Sequence, residues 1–297
     1  GPGRAAPPGA RAAPRPGWPS PGAGGFLDRH INHEASAAVA GRMEGLSLDH
    51  IERLMATLGD PQTAYPVIHI TGTNGKGSVA RLVTRLLIES GLSVGTYTSP
   101  HLERVNERIA WNCEPISDEE LARVIGELAE IGPLSGVGAA HFELLTAAAL
   151  SWFAEVAVDV AVVEVGLLGR WDATNVVDAS VAVITNIGGD HTDFSLGWRE
   201  SIAREKAGII KPGSAVVTGE TDPELRAIFE ETAGLAGGTL WALDRDVHVR
   251  RSELAVGGRV VEIATPYGPH VDVFLSLHGE HQATNAALAV AAVEAFF

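Results

Sequence analysis

VIHITGTNGKGSVARLVTRLLIES, residues 67–90, sets a short apolar run, a glycine-rich bend and an apolar-periodic stretch in immediate succession. VIHIT (67–71) predicts a buried strand and Val79 to Ser90 the helix after it. Gly91 predicts the end of that helix, and SVGTYT (93–98) the next strand. Between the first strand and its helix lies HITGTNGKGSVA (69–80), where a nucleotide site needs such a loop. Gly72, Gly75 and Gly77 let the backbone approach phosphates, Lys76 adds a mobile charge, and a helix N-terminus favours anions. The spacing departs from the strict G-x-x-x-x-G-K-[ST] pattern because position 70 is Ile, so a plain Gly-rich turn is the alternative.

The same alternation runs on along the chain. Ser117, Asp118, Glu119 and Glu120 open a helix over 117–130, and a further helix covers 143–156. VDVAVVEVG (158–166) and VAVITNI (181–187) read as strands covered on both faces, since neither alternates with period two. A helix near 199–209 and a strand at 215–218 follow. Strands alternating with helices predict an α/β fold: a mainly parallel sheet flanked by helices with a P-loop-like nucleotide site. Residues 246–277, with a Gly257-Gly258 turn, predict a small antiparallel β addition. HQATNAALAVAAVEAFF (281–297) is a strong helix ending on Phe296 and Phe297, with no terminal Gly or polar tail, and reads as a break in a longer chain.

Composition narrows the function classes. The 297 residues carry 22 Lys plus Arg against 37 Asp plus Glu, a formal charge of −15. That balance argues against a nucleic-acid or anionic-membrane binder, which needs a basic face. One cysteine, Cys113, excludes a disulfide framework and a cysteine-based zinc cluster. Glu155, Asp159 and Glu164 interrupt the most hydrophobic stretch, so no run reaches the roughly 18 residues of a membrane span. Residues 1–25, with seven Gly, seven Pro, six Ala and three Arg, form a Pro/Gly/Ala-rich leader predicted to be disordered. Its prolines spoil the amphipathic helix of a transit peptide, and the expected location is cytoplasmic. Residues 26–297 are then one domain, built around the Gly-rich nucleotide-type loop.

Parallel sheets bind ligands at the carboxyl ends of their strands. By that rule Ser99 in TSPHLERVNERI (98–109), Glu164 in VVEVG and His191 in GGDHTD (188–193) point toward the phosphates. A hydroxyl, a carboxylate and an imidazole at neighbouring strand ends could hold Mg²⁺ beside a triphosphate. Taken singly, His191 also reads as an ordinary loop histidine and Glu164 as a strand-end carboxylate in water. Lys206 in REKAGIIKPG (204–213) falls on an amphipathic helix, where composition alone gives a solvated surface lysine.

Together the motifs resemble the folylpolyglutamate synthase/dihydrofolate synthase family, a branch of the Mur ligase superfamily. The matching blocks are GTNGKGS (72–78), TSPHL (98–102), HFELLT (141–146), VVEVGLLGRWDATN (162–175), DHTD (190–193), EKAGIIKPG (205–213) and HGEHQATNAALA (278–289). They cover nearly everything from about residue 45 onward, in the family's order. The resemblance implies an ATP-dependent amide ligase that makes an acyl phosphate of dihydropteroate or a folate and joins it to L-glutamate. It implies two Mg²⁺ ions as cofactors, held by Ser99, Glu164 and His191, with ATP as co-substrate. It implies a catalytic Lys76 and a carbamate on Lys206. Thr73, Asn74, Gly75, Lys76, Gly77 and Ser78 would take the phosphates and Asn285 the adenine. Dihydropteroate or tetrahydrofolate would lie on Phe142, Glu143, Trp171, Asp172 and Ala173, with Leu48 and Asp49. Phe142 and Trp171 supply flat apolar faces for a flat ring, although a core role for Phe142 is equally open without the resemblance. A monomer is the family expectation.

Three departures from the family pattern stand out. GLLGR (166–170) places Leu168 where the family has glycine, which would strain the loop if that position needs positive φ. Gly188-Gly189 predicts a looser approach to His191. The family's C-terminal Rossmann-like domain has no counterpart in this sequence. Two other readings compete: a Mur-type ligase acting on a peptidoglycan precursor, and a non-catalytic nucleotide-binding module. The first needs an α/β domain before the loop, and only about 45 residues are available there.

Overall fold

The computed structural model describes residues 47–136, 138–189 and 196–297. The predicted leader at 1–25 and His191 with its DHTD block lie outside the described residues.

β1 (Val67–Thr71), β2 (Val94–Tyr97), β5 (Val160–Glu164), β6 (Ala179–Ile184), β7 (Ala215–Thr218) and β8 (Thr239–Ala242) form a parallel sheet. An antiparallel hairpin of β3 (Ile109–Trp111) and β4 (Glu114–Pro115) extends one edge, giving the order β4-β3-β2-β5-β1-β6-β7-β8. β1 is central, and the chain passes from it over β5 to β2, later returning across β1 from β5 to β6. That reversal opens a crevice at the carboxyl ends of β1, β2, β5 and β6.

Seven helices flank the sheet among the described residues: α1 (Asp49–Thr57), α2 (Lys76–Glu89), α3 (Asp118–Ile131), α4 (His141–Glu155), α5 (Trp198–Ala207), α6 (Pro223–Leu235) and α7 (His281–Phe296). Successive strand residues feed opposite faces. Ile68, Ile70, Val160, Val162, Val181 and Val183 pack with α2 and α7, whereas Val67, Ala161 and Val163 pack with α1, α3 and α4. Ala182, Ile184 and Val216 join α5 and α6 in a third cluster. Coverage of both faces is why these strands read as unbroken apolar runs.

The predicted antiparallel addition is a three-stranded sheet of β9 (His248–Ala255), β10 (Gly258–Thr265) and β11 (Gly268–Leu275). Val261, Ile263 and Leu275 anchor it to the α2–α7 side of the core. Phe296 packs partly on the same cluster, and Phe297 is exposed.

The two edges of the large sheet end differently. β4 is two residues long and contains Pro115. At β8, the Arg245 guanidinium donates to the Leu240 carbonyl at 2.9 Å, and Asp246 accepts from the Ala242 amide at 2.9 Å. Arg245 is itself held by Glu230 and Asp246.

Candidate functional site

α2 begins at Lys76, three residues before its apolar periodicity, with Gly75 as N-cap at φ 86°. The loop before it is fastened to the end of β6. The Thr73 amide donates to the Asn186 carbonyl at 3.0 Å, and the Asn74 amide to Asn186 Oδ1 at 3.0 Å. Asn186 Nδ2 and Thr185 Oγ1 both donate back to the Asn74 carbonyl, at 3.3 and 2.6 Å. Gly72, at φ 147°, lies so close that an added Cβ would fall 1.7 Å from Thr185 Oγ1. With the Thr73 and Asn74 amides engaged, the amides of Gly75 to Ser78 are those without an acceptor among the described residues. They are orphan donors at a helix N-terminus, which makes an anion cradle.

Glu164 ends β5 beneath that cradle and is almost fully buried. A methyl group on Gly77 would lie 3.5 Å from Glu164 Oε2, which accepts the Ser99 amide at 3.2 Å. Burial pushes the Glu164 carboxyl up to about 7, against the pull of Lys76, the Ser99 amide, Arg81 and Arg108. Lys76 folds back onto its own loop, with Nζ donating to the Gly72 carbonyl at 3.0 Å. Ser99, Glu164 and the phosphate loop therefore converge as expected. Among the described residues no three His, Cys, Asp or Glu side chains gather as a metal cluster.

Lys206 is buried in the last turn of α5, at 4% exposure, which replaces the solvated surface lysine that composition gave. The 166–172 loop lies against it: an added Cβ on Gly169 would sit 3.0 Å from Lys206 Cα, and the Arg170 amide donates to the Glu205 carbonyl at 2.9 Å. Leu168 adopts φ 58°, the left-handed conformation that glycine favours. Its carbonyl accepts from Thr71 Oγ1 at the end of β1, and its side chain packs on the third core cluster. Gly188 is not a loose joint. Its amide donates to Thr73 Oγ1 at 2.9 Å, and a Cβ there would meet Thr73 Cγ2 at 3.0 Å.

The remaining predicted residues divide into two groups. Phe142 belongs to the core: it is buried, packs 6.0 Å from the Tyr97 ring, and covers Gly166 so closely that a Cβ would reach it at 2.6 Å. Glu143 caps its own helix by accepting the Ala140 amide, and lies 4.0 Å from His50, beside Leu48 and Asp49 at the start of α1. Trp171 is 42% exposed, while Ala173 is buried in the first core cluster. Asp172 is buried and accepts three bonds: from the Leu167 amide at 2.8 Å, the Thr174 amide at 3.0 Å, and Thr174 Oγ1. Burial pushes its carboxyl up, opposed by these donors and the Gly166 amide. Asn285 is buried in α7 against Gly75, where an added Cβ would fall 2.6 Å from its Oδ1.

Thr185, Asn186, Thr174 and His69 lie around the candidate site and are residues that the sequence reading did not single out. VAVITNI places Thr185 and Asn186 inside a strand, but β6 ends at Ile184 and both belong to the carboxyl-end loop. The strand-end rule that selects Ser99 would have selected them too. His69, in the middle of β1, is fully buried, with Nε2 2.9 Å from Thr174 Oγ1. Burial, then the charge of Lys211, pushes its imidazole down to about 3.

Residues 120–293 match the Mur ligase middle domain family. The dihydrofolate synthase/folylpolyglutamate synthase of Mycobacterium tuberculosis is 44% identical over 84% of this chain, and that of Bacillus subtilis 38% identical over 83%. The chain spans 55% and 59% of the lengths of these two relatives. The M. tuberculosis folylpolyglutamate synthase complexed with ADP and AMPPCP superposes with a TM-score of 0.81 at 42% identity, covering 92% of this chain and 60% of that one. A folylpolyglutamate synthase complex with AMPPCP and folate gives 0.80 at 35% identity, over 90% of this chain and 67% of that one. No helix among the described residues is long and apolar enough to cross a membrane.

Proposed function

The chain belongs to the Mur ligase family, in its folylpolyglutamate synthase/dihydrofolate synthase branch, and from that premise we propose that it carries the ATP and folate sites of an ATP-dependent amide ligase. The reaction adds L-glutamate to dihydropteroate, to reduced folates, or to both. The γ-phosphoryl group of ATP passes to the substrate carboxylate. The glutamate amine then attacks the acyl carbon, and phosphate leaves. This chemistry asks the protein for positioning and charge stabilisation rather than a nucleophile.

One observation carries the reading: the open amides of Gly75 to Ser78 lie beside Glu164 at the end of β5, which is bonded to Ser99 just past the end of β2. The amides hold the phosphates, and Lys76, 3.0 Å from the Gly72 carbonyl, has only to unfold from its own loop to reach them. Asn285 borders the cradle at Gly75, which suits the adenine side. The part-exposed ring of Trp171 and the carboxylate of Asp172 serve the pterin. The domain comprises residues 26–297, works as a monomer, and belongs in the cytoplasm, as the lone, exposed Cys113 suggests.

Glu164 and Ser99 supply hard oxygen donors of the kind Mg²⁺ takes, and a buried carboxylate with one amide partner fits a divalent cation. His191 completes the proposed set. Mg²⁺ held there would offset the charge of the transferring phosphoryl group. The buried seat of Lys206 suits the uncharged amine that a carbamate requires, and labelling with ¹³C-bicarbonate reads it directly.

The test is calorimetric titration of AMPPCP with and without Mg²⁺, on the chain and on Glu164→Gln, alongside phosphate release with ATP, L-glutamate and dihydropteroate. Mg²⁺-dependent binding that the variant loses, with a melting curve near that of the parent, supports the site. Binding that ignores both Mg²⁺ and Glu164 overturns the metal assignment. Nucleotide binding without pterin-stimulated phosphate release favours the binding-module alternative.

A further inference from the structure

His69 lies on the central strand with no exposed surface, and the proposed reaction gives it no task. Its surroundings fix its protonation state. Nδ1 has no hydrogen-bond partner among the described residues, while Nε2 is 2.9 Å from Thr174 Oγ1. A buried N–H left orphaned is far rarer than an unsatisfied acceptor, so the proton belongs on Nε2 and Nδ1 carries the lone pair. An imidazolium would orphan a second donor, and the ring is held neutral by burial. Nε2–H therefore donates to Thr174 Oγ1, whose hydroxyl proton is left for Asp172 Oδ1.

The direction of this chain matters at its far end. An ionised carboxylate accepts about four hydrogen bonds. The Thr174 amide, the Thr174 hydroxyl and the Leu167 amide take three, two on Oδ1 and one on Oδ2, and the Gly166 amide also bears on the carboxylate. Oδ2 has the fewer close donors, one against two on Oδ1, and it lies in the loop that carries the part-exposed Trp171. A flat heterocycle with amino and ring N–H donors stacked on Trp171 would need such an acceptor. Were His69 to take the Thr174 proton instead, Asp172 would lose a charge-assisted donor in a buried setting that already favours the neutral acid.

We propose that His69 is a positioning residue that acts through Thr174 to hold Asp172 as an oriented hydrogen-bond acceptor for the pterin ring. The proposal rests on the pterin placement given above and adds the interior residues that sustain it. It also accounts for a histidine, rather than an aliphatic residue, in the middle of a strand whose other neighbours are apolar.

The experiment compares binding of dihydropteroate and of AMPPCP to the parent chain and to Thr174→Val, Thr174→Ser, His69→Leu and Asp172→Asn, each checked by a melting curve. Thr174→Val and His69→Leu are expected to weaken dihydropteroate binding by about tenfold, the scale of one lost hydrogen bond to a charged group, and to leave AMPPCP binding within about twofold. Thr174→Ser restores the hydroxyl and should return dihydropteroate affinity to near the parent value. Loss in Asp172→Asn with parent-like binding in Thr174→Val and His69→Leu overturns the relay alone. Parent-like binding in Asp172→Asn overturns the pterin placement and the proposal with it. A third readout needs no variant: the ¹⁵N spectrum of His69 should report the Nε2–H tautomer, and an Nδ1–H signal would refute the relay whatever the binding data say.

Discussion

Leu168 combines a left-handed backbone with a side chain that packs on the third core cluster, so two opposed terms meet at one residue. Left-handed φ costs a residue with a Cβ roughly 1 kcal/mol, which glycine escapes. Leu168→Ala should lose the packing and keep the strain, whereas Leu168→Gly loses the packing and sheds the strain. The expected order in thermal melting is Leu168→Gly above Leu168→Ala by about 1 kcal/mol, the reverse of the usual preference for alanine. Asn186 acts at the same scale with a functional readout. Its amide closes two hydrogen bonds on the backbone of Asn74, so Asn186→Ala should loosen the phosphate loop. AMPPCP affinity is expected to fall about tenfold with little change in melting temperature, by calorimetry and circular dichroism, given about 1 kcal/mol per bond. Unchanged affinity would mean that the loop holds its shape without this fastening.

Gly95 of β2 is where an element is seated rather than a residue strained. A Cβ there would meet the Phe153 ring of α4 at 2.7 Å, so the helix lies directly on the bare strand. Gly95→Ala should cost about 1–3 kcal/mol in urea denaturation through overpacking, and Phe153→Leu in the same chain should recover part of it. Elements of this kind were legible in the sequence where both faces of a strand are covered or a cap is explicit. β1, β7 and α3 fall where the pattern puts them, and Ser117 accepts the Glu120 amide as the N-cap. Lys76 to Ser78 were missed as helix because glycine and lysine carry no apolar period, and the Gly75 cap decides the start instead. The β3–β4 hairpin has three and two paired residues, too few for any periodicity to register. α1 and α6 escaped the reading as well, although α6 has an Asp222 cap and Pro223 in its first turn. Strand-end reasoning selected Ser99 and Glu164, which the fold brings together beside the Gly-rich loop. It could not find His69, because a hydrogen bond from mid-strand to a residue 105 positions away leaves no local pattern.

For the molecule as a whole, the buried neutral His69 links stability to pH. Above about pH 6.5 both the folded and unfolded forms carry it neutral. As pH falls, the unfolded chain takes up a proton that the folded chain refuses until about pH 3, so folding stability drops. Between about pH 6.5 and 4.5 the parent should lose roughly 2 kcal/mol more than His69→Gln, measured by urea denaturation across that range. Superimposable pH profiles would show that the histidine does not titrate as its burial requires. The self-closed rim at β8 has a different kind of consequence. A parallel sheet could go on recruiting strands from neighbouring copies wherever its outermost backbone is left open. Here the outward Leu240 carbonyl is taken by Arg245 and the outward Ala242 amide by Asp246, both from the turn that follows the strand. Pro115 and extreme shortness perform the same service at β4. The sheet is thereby made finite from within, and colloidal good behaviour is written into two side chains remote from any chemistry.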